Sequence, residues 1–127
     1  MSRLSLFQKR INNEIPLSEA LGIRLISWDG HALLLAAPLQ PNRNHQGTGF
    51  GGSVYSAAVT AAWGLTELAL ADMGLTGAVV VQSGNIDYLE PVDQDFYVIC
   101  RLPAGEIPPR FRKSLARHGK GRLDLTA

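Results

Sequence analysis

An antiparallel sheet curled round one long helix, an α+β arrangement, is the architecture this sequence predicts, on three observations. The stretch from Asn42 to Asp72 begins as a polar, glycine-loaded loop and passes, with Gly64 as its one helix breaker, into an apolar segment of helical spacing. Two short runs rich in β-formers and leucine precede it, joined by Asp29-Gly30. Two further runs with strand-like alternation follow it, and hairpin, helix and meander together favour one sheet packed on one helix.

Taken in order, Leu4, Phe7 and Ile11 have helical spacing in a segment that Pro16 closes, so residues 4–14 are expected to form an amphipathic helix of structural role. Leu17 to Leu21 adds a further turn, stopped by Gly22 where a left-handed residue caps a helix. Ile23 to Trp28 reads as a strand, Asp29-Gly30 as a type I′ turn, and His31 to Pro38 as the returning strand. Pro38 and Pro41 bracket the exit into the glycine-rich loop.

In the central helix Val54, Ala58, Ala61, Leu65 and Leu68 recur at steps of three and four, while Ser53, Ser56, Thr60 and Glu67 fall on roughly the opposite side. Alanine and Gly64 let a neighbouring backbone come close. The length suits a bilayer crossing, but the scattered polar residues and the lack of anchoring charges argue for a soluble protein with no membrane partner.

Beyond the helix, Leu75 to Gly77 make a turn and Ala78 to Tyr88 is expected to be a strand. Ser83, Asn85 and Asp87 point to one face, and Gln82, Gly84, Ile86 and Tyr88 to the other. Phe96 to Leu102 alternates likewise. After the linker Pro103 to Pro109 comes a basic helix ending at His118, with Gly119 as its stop. Arg122 to Ala127 restarts a strand pattern, so the last strand is expected to be truncated or unusually short.

At 127 residues, 46% of them apolar, the chain is expected to be one domain, residues 1–127. The single Cys100 excludes an intramolecular disulfide and a cysteine-rich metal site. Arg3, Lys9 and Arg10 interrupt any signal segment, making a cytoplasmic location the expectation. Residues 1–100 carry five Lys or Arg against nine Asp or Glu, and residues 101–127 carry seven against two. That basic end would attract a phosphate-bearing or acidic partner, or be simply a solvated helix face.

The run Asn44-His45-Gln46-Gly47-Thr48-Gly49-Phe50-Gly51-Gly52, entering an alanine-rich helix and followed by Asn85-Ile86-Asp87-Tyr88-Leu89-Glu90-Pro91-Val92, resembles the hotdog-fold thioesterases. The resemblance is nearest to the thioesterase domain that follows an acetyltransferase domain in some bacterial proteins, and it covers roughly residues 15–127. It implies a hotdog fold and a homodimer or dimer of dimers with sites at the subunit interface. It also implies acyl thioesters of coenzyme A or acyl carrier protein as substrates, with a place in fatty acid metabolism. Two positions depart from the family pattern: Phe50 stands where many members have histidine, and Val59 and Thr60 occupy the neighbourhood of the usual helix carboxylate.

Thioester cleavage needs a polarised carbonyl and an activated water or nucleophile. The amides of Gly51 and Gly52 at the helix start can supply the first. Asn44 and His45 are the upstream candidates to orient water or act as base, against the plainer role of loop hydrogen bonding. Asp87 is the carboxylate that would replace the missing one, or else lies on an exposed strand face. Gly47, Phe50, Ser53, Tyr55, Ser56, Thr60, Ser83 and Asn85 are the candidates to line the acyl pocket, the helix hydroxyls alternatively satisfying backbone carbonyls. The expected activity is acyl-thioester hydrolysis, the alternative being non-hydrolytic binding or another thioester reaction such as decarboxylation. No metal, cofactor or nucleic acid is expected. His31 and His118 lack ligand spacing, and GTGFGG lacks the Lys-Ser/Thr ending of a phosphate-binding loop.

Overall fold

A computed structural model describes residues 2–127. Helix α1, Arg3–Glu14, starts at Ser2, whose side chain accepts from the Ser5 amide at 3.1 Å. It turns Phe7 and Ile11 inward. Helix α2, Pro16–Leu21, ends at Gly22 with φ of +72°, and a Cβ there would lie 2.8 Å from the Pro38 ring. Only glycine meets both demands.

Strands β1, Arg24–Trp28, and β2, Ala32–Ala37, form the expected hairpin, with a bulge between Leu25 and Ser27. The turn between them is not type I′, which would need positive φ at both central residues. Ala104 is the only non-glycine with positive φ among the described residues. Asp29 instead accepts the amides of His31 and Ala32, each at 2.8 Å, and these bonds, that from Ala32 first, hold its carboxyl below its ordinary pKa.

Strand β3, Phe96–Arg101, pairs antiparallel with β2 from Ala32↔Arg101 to Ala37↔Phe96, giving a three-stranded sheet in the order β1-β2-β3. Leu33, Leu35, Ala37, Val98 and Cys100 form its buried face. Helix α3, Gly51–Asp72, packs on that face through Ala57, Thr60, Ala61, Gly64, Leu65 and Leu68. A Cβ at Gly64 would stand 3.0 Å from Leu33 Cδ2, so here glycine serves close approach. Leu33, Leu35 and Leu65, fully buried, each contribute about 1.5–3 kcal/mol.

The buried stripe of α3 is rotated from the expected one. Val54 and Ala58 are only half-buried, whereas Thr60, expected on the polar face, is buried and donates its hydroxyl to the Ser56 carbonyl at 2.7 Å. That bond removes the cost of placing a hydroxyl against the sheet. The flank beside the stripe is covered by other groups. Trp63 stacks on Phe7 at 5.9 Å, and the Arg10 guanidinium lies over both rings.

Ala78–Tyr88 does not form the expected strand. It runs extended along α3, held by side chains: Trp63 Nε1 donates to the Val79 carbonyl at 3.1 Å, and the Tyr55 hydroxyl sits over Gly84. Among the described residues its backbone joins no neighbouring strand. Val80 and Leu89 are 82% and 89% exposed. Alternation specified the faces, but a ladder also needs a partner. Among the described residues Arg122 to Ala127 likewise makes one bridge, Thr126 to Arg101 at the outer edge of β3.

Helix α4, Pro109–His118, anchors Phe111 in the core and ends at Gly119, φ +71°. Arg110, Arg112, Lys113 and Arg117 are exposed on it. It follows the Arg101 end of β3, whereas the glycine-rich loop leaves the sheet at the Ala37–Phe96 end.

Candidate active site at the head of the central helix

The loop is built by asparagines. Asn42 is 2% exposed and donates its side-chain amide to the carbonyls of Leu21 and Pro38, both at 2.7 Å, while its own carbonyl accepts the Phe50 amide at 2.7 Å. Its Oδ1 is buried and meets no donor among the described residues. One side chain thus ties the end of α2 and the exit of β2 to the start of the loop. Asn44 folds the tip: Oδ1 accepts the amides of Gln46 and Thr48 at 2.9 and 3.0 Å, and Nδ2 donates to Thr48 Oγ1 at 2.8 Å. Gly47, with φ of +81°, allows that reversal. Gly49 donates to the Val92 carbonyl at 2.7 Å, clasping the loop to the end of the extended segment.

A cleft of about 330 Å³ results, lined by Asn44, Thr48, Gly49, Gly51, Val54 and the run Tyr88 to Val92. Its inner end is the first turn of α3. Phe50 occupies the N-cap position in extended conformation and makes no side-chain cap. The first intrahelical bond is from the Val54 amide to the Phe50 carbonyl, and among the described residues the amides of Gly51, Gly52 and Ser53 meet no acceptor. Unpaired donors at the positive end of a 22-residue helix favour an anion or a polarised carbonyl oxygen. A Cβ at Gly51 would lie 3.2 Å from the Tyr88 hydroxyl, and one at Gly52 would fall 2.6 Å from the Phe50 ring. Neither glycine is there for a turn, since both are helical; Gly51 leaves room for the Tyr88 hydroxyl and Gly52 for the Phe50 ring.

The structure separates the sequence-predicted residues into two groups. Asn44 and Gly51 line the cleft, and Gly52 and Ser53 share its helix turn. The Asn44 amide is spent on the loop, which is the plainer of its two expected roles. His45 is exposed at the loop tip, outside the lining. Gly47 is also at the tip, and Phe50, 56% exposed, covers Gly52 from outside. Asp87, Ser83 and Asn85 are exposed on the extended segment and do not line the cleft. Tyr55 and Ser56 are half-buried one turn further along, and Thr60 lies against the sheet.

Sequence reasoning missed Thr48, Gly49, Val54, Tyr88, Leu89, Glu90, Pro91 and Val92 as cleft residues. Glu90 is the carboxylate of the lining, and Val54, Leu89, Pro91 and Val92 give it an apolar side. The signal was present in Glu90-Pro91, which ends the extended run and turns its last side chains toward the loop.

A three-stranded antiparallel sheet packed on one long helix is the architecture this chain shares with hotdog-type thioesterases. The chain belongs to the family described as "Putative thioesterase (yiiD_Cterm)", which it matches over residues 4–127. It is similar to a solved structure of a Chlorobaculum tepidum TLS protein "with unknown function", 36% identical over 95% of this chain and 74% of that one, with a TM-score of 0.89. It is also similar to the "putative thioesterase from Shewanella oneidensis", 32% identical over 80% of this chain and 74% of that one, TM-score 0.76. A Pseudomonas aeruginosa protein described as "Probable Thioesterase", 21% identical over 96% of this chain and 83% of that one, shares the fold with a TM-score of 0.71.

Proposed function

We propose that this chain hydrolyses acyl thioesters carried on coenzyme A or acyl carrier protein. The observation that carries the reading is the unpaired Gly51 amide in the lining of a cleft whose other wall includes Leu89, Pro91 and Val92, with the unpaired Gly52 amide in the same helix turn. The thioester oxygen is received by these amides, which gain strength as the carbonyl becomes a tetrahedral oxyanion. The acyl chain lies along Val54, Leu89 and Val92, which favours an apolar tail over a charged one. Glu90 takes a proton from the attacking water as the new C–O bond forms. The C–S bond then breaks, and the thiolate leaves with that proton, giving a free acid and a thiol.

A second reading keeps the binding and changes the chemistry, to decarboxylation or another thioester reaction. It is favoured by Val59 and Thr60, which leave the second and third turns of α3 without a carboxylate. Thiol release from a panel of acyl-CoA and acyl carrier protein substrates separates the two. Hydrolysis predicts stoichiometric thiol and acid; saturable binding with no thiol overturns it.

The working unit is proposed to be a homodimer. The extended segment 78–89 presents unpaired backbone and exposed Val80, Val81 and Leu89, and such an edge is ordinarily covered by another strand. The exposed cations of α4 lie at the far end of the sheet from the cleft, so their proposed part is to attract an acidic carrier at long range.

A further inference from the structure

The Tyr88 hydroxyl donates to the Gly51 carbonyl at 2.8 Å, and its ring lies against the Gly51 backbone. The Gly51 carbonyl and the Gly52 N–H belong to one peptide unit. A donor placed on the oxygen of an amide draws charge through the C–N bond and makes the N–H on the other side a better donor. The same bond joins the extended segment to the first turn of α3, a turn that has no side-chain N-cap to hold it. Two independent features of the structure therefore converge on Tyr88: an uncapped helix start whose amides are free, and a hydroxyl on the one carbonyl whose peptide carries a proposed oxyanion donor.

We infer that Tyr88 is a positioning residue for the reaction, orienting and polarising the Gly51–Gly52 peptide so that its N–H is a stronger and better-aimed donor to the thioester oxyanion. It acts through the peptide and takes no proton. The inference rests on the proposed thioester reading for its function, and on the Tyr88–Gly51 contact for its geometry. It also fits glycine at position 51: a Cβ there would stand 3.2 Å from the tyrosine oxygen and crowd the hydroxyl at its acceptor.

Tyr88→Phe in the full chain keeps the ring and removes only the hydroxyl. Removing one neutral hydrogen bond that strengthens in the transition state is expected to lower kcat about five- to tenfold, with KM unchanged. Tyr97→Phe, an exposed tyrosine on β3, leaves both constants unchanged and serves as the control. A second readout needs no turnover: in ¹H–¹⁵N spectra the Gly52 amide proton is expected to move upfield in Tyr88→Phe, as its peptide oxygen loses a donor. Unaltered kcat, a loss confined to KM, or an unmoved Gly52 resonance overturns the inference. Should the unaltered chain release no thiol, the hydrolase reading fails by itself, and the Gly52 resonance alone decides whether Tyr88 polarises that peptide.

Discussion

The Gly49 amide and the Val92 carbonyl meet at 2.7 Å, and this single backbone bond closes the glycine-rich loop on the segment that walls the cleft. A Cβ at Gly49 would stand 3.0 Å from Val92 Cβ and 3.3 Å from Val54 Cγ2. Neither neighbour is the end of a flexible chain. Gly49→Ala is therefore expected to part loop from segment, lowering kcat/KM at least about tenfold for roughly 1–2 kcal/mol of stability. Thermal melts and initial rates on the same preparation check it. Full activity with a lowered Tm would show that the clasp is structural only.

Gly51 can be replaced by proline with little harm to the helix. It is the first helical residue, its N–H has no partner, and Phe50 before it is already extended, as the residue preceding proline must be. Gly51→Pro should retain the helical circular dichroism and lose on the order of 10²-fold in kcat, the magnitude associated with one oxyanion donor, and more than Gly51→Ala, which crowds the Tyr88 hydroxyl with the same Cβ but keeps the N–H. An unchanged kcat would remove the Gly51 amide from the mechanism.

Val80, with its side chain in solvent and its backbone unpaired, is the place to test the proposed dimer. A lysine on an edge strand discourages pairing. Val80→Lys is expected to shift sedimentation toward the monomer while leaving α3 folded; a concentration-independent mass identical to that of the unaltered chain argues against pairing along this segment.

Replacing Arg110, Arg112, Lys113 and Arg117 by alanine should raise KM for an acidic carrier at low ionic strength. The difference should disappear near 0.15 M salt, where charges are screened over about 8 Å. kcat is expected to stay constant, because α4 follows the end of β3 remote from the loop. Equal KM values at every salt concentration would leave these cations as ordinary solvated surface.

Cys100 is fully buried in the sheet face against α3, and burial pushes its thiol up to about 11 from an ordinary 9.0. Its folded-state pKa is raised, so its stabilising contribution is complete below pH 9 and is lost as pH rises toward 11, where the unfolded chain gives up the proton first. Between those pH values the unaltered chain should lose on the order of 2 kcal/mol more stability than Cys100→Ala, by urea titration. At neutral pH the thiol should resist a soluble disulfide reagent until denaturant is added.

Local chemistry was the legible part of the sequence. Pro16, Gly22, Pro109 and Gly119 mark helix boundaries through their own backbone limits, and in the structure α2 and α4 begin at the two prolines and are capped by the two glycines. Ala61, Leu65 and Leu68 were recognisable as the buried side of α3 because helical spacing alone relates them. What required coordinates was everything fixed by a partner distant in sequence. Thr60 faces inward because the sheet meets α3 along Ala57, Thr60, Ala61 and Gly64 and not along Val54 and Ala58. Asp29 satisfies two amides with its side chain and so avoids a type I′ turn. Tyr88 and Glu90 reach the cleft because Val92 bonds Gly49 across more than forty residues, which no periodicity encodes.

The amide group of Asn42 couples this cleft to parts of the molecule that never touch a ligand. Because it spans the Leu21 and Pro38 carbonyls, slackening at the end of α2 is expected to reach the glycine loop through this one side chain. On warming, catalytic competence should therefore fade several degrees before the bulk fold melts.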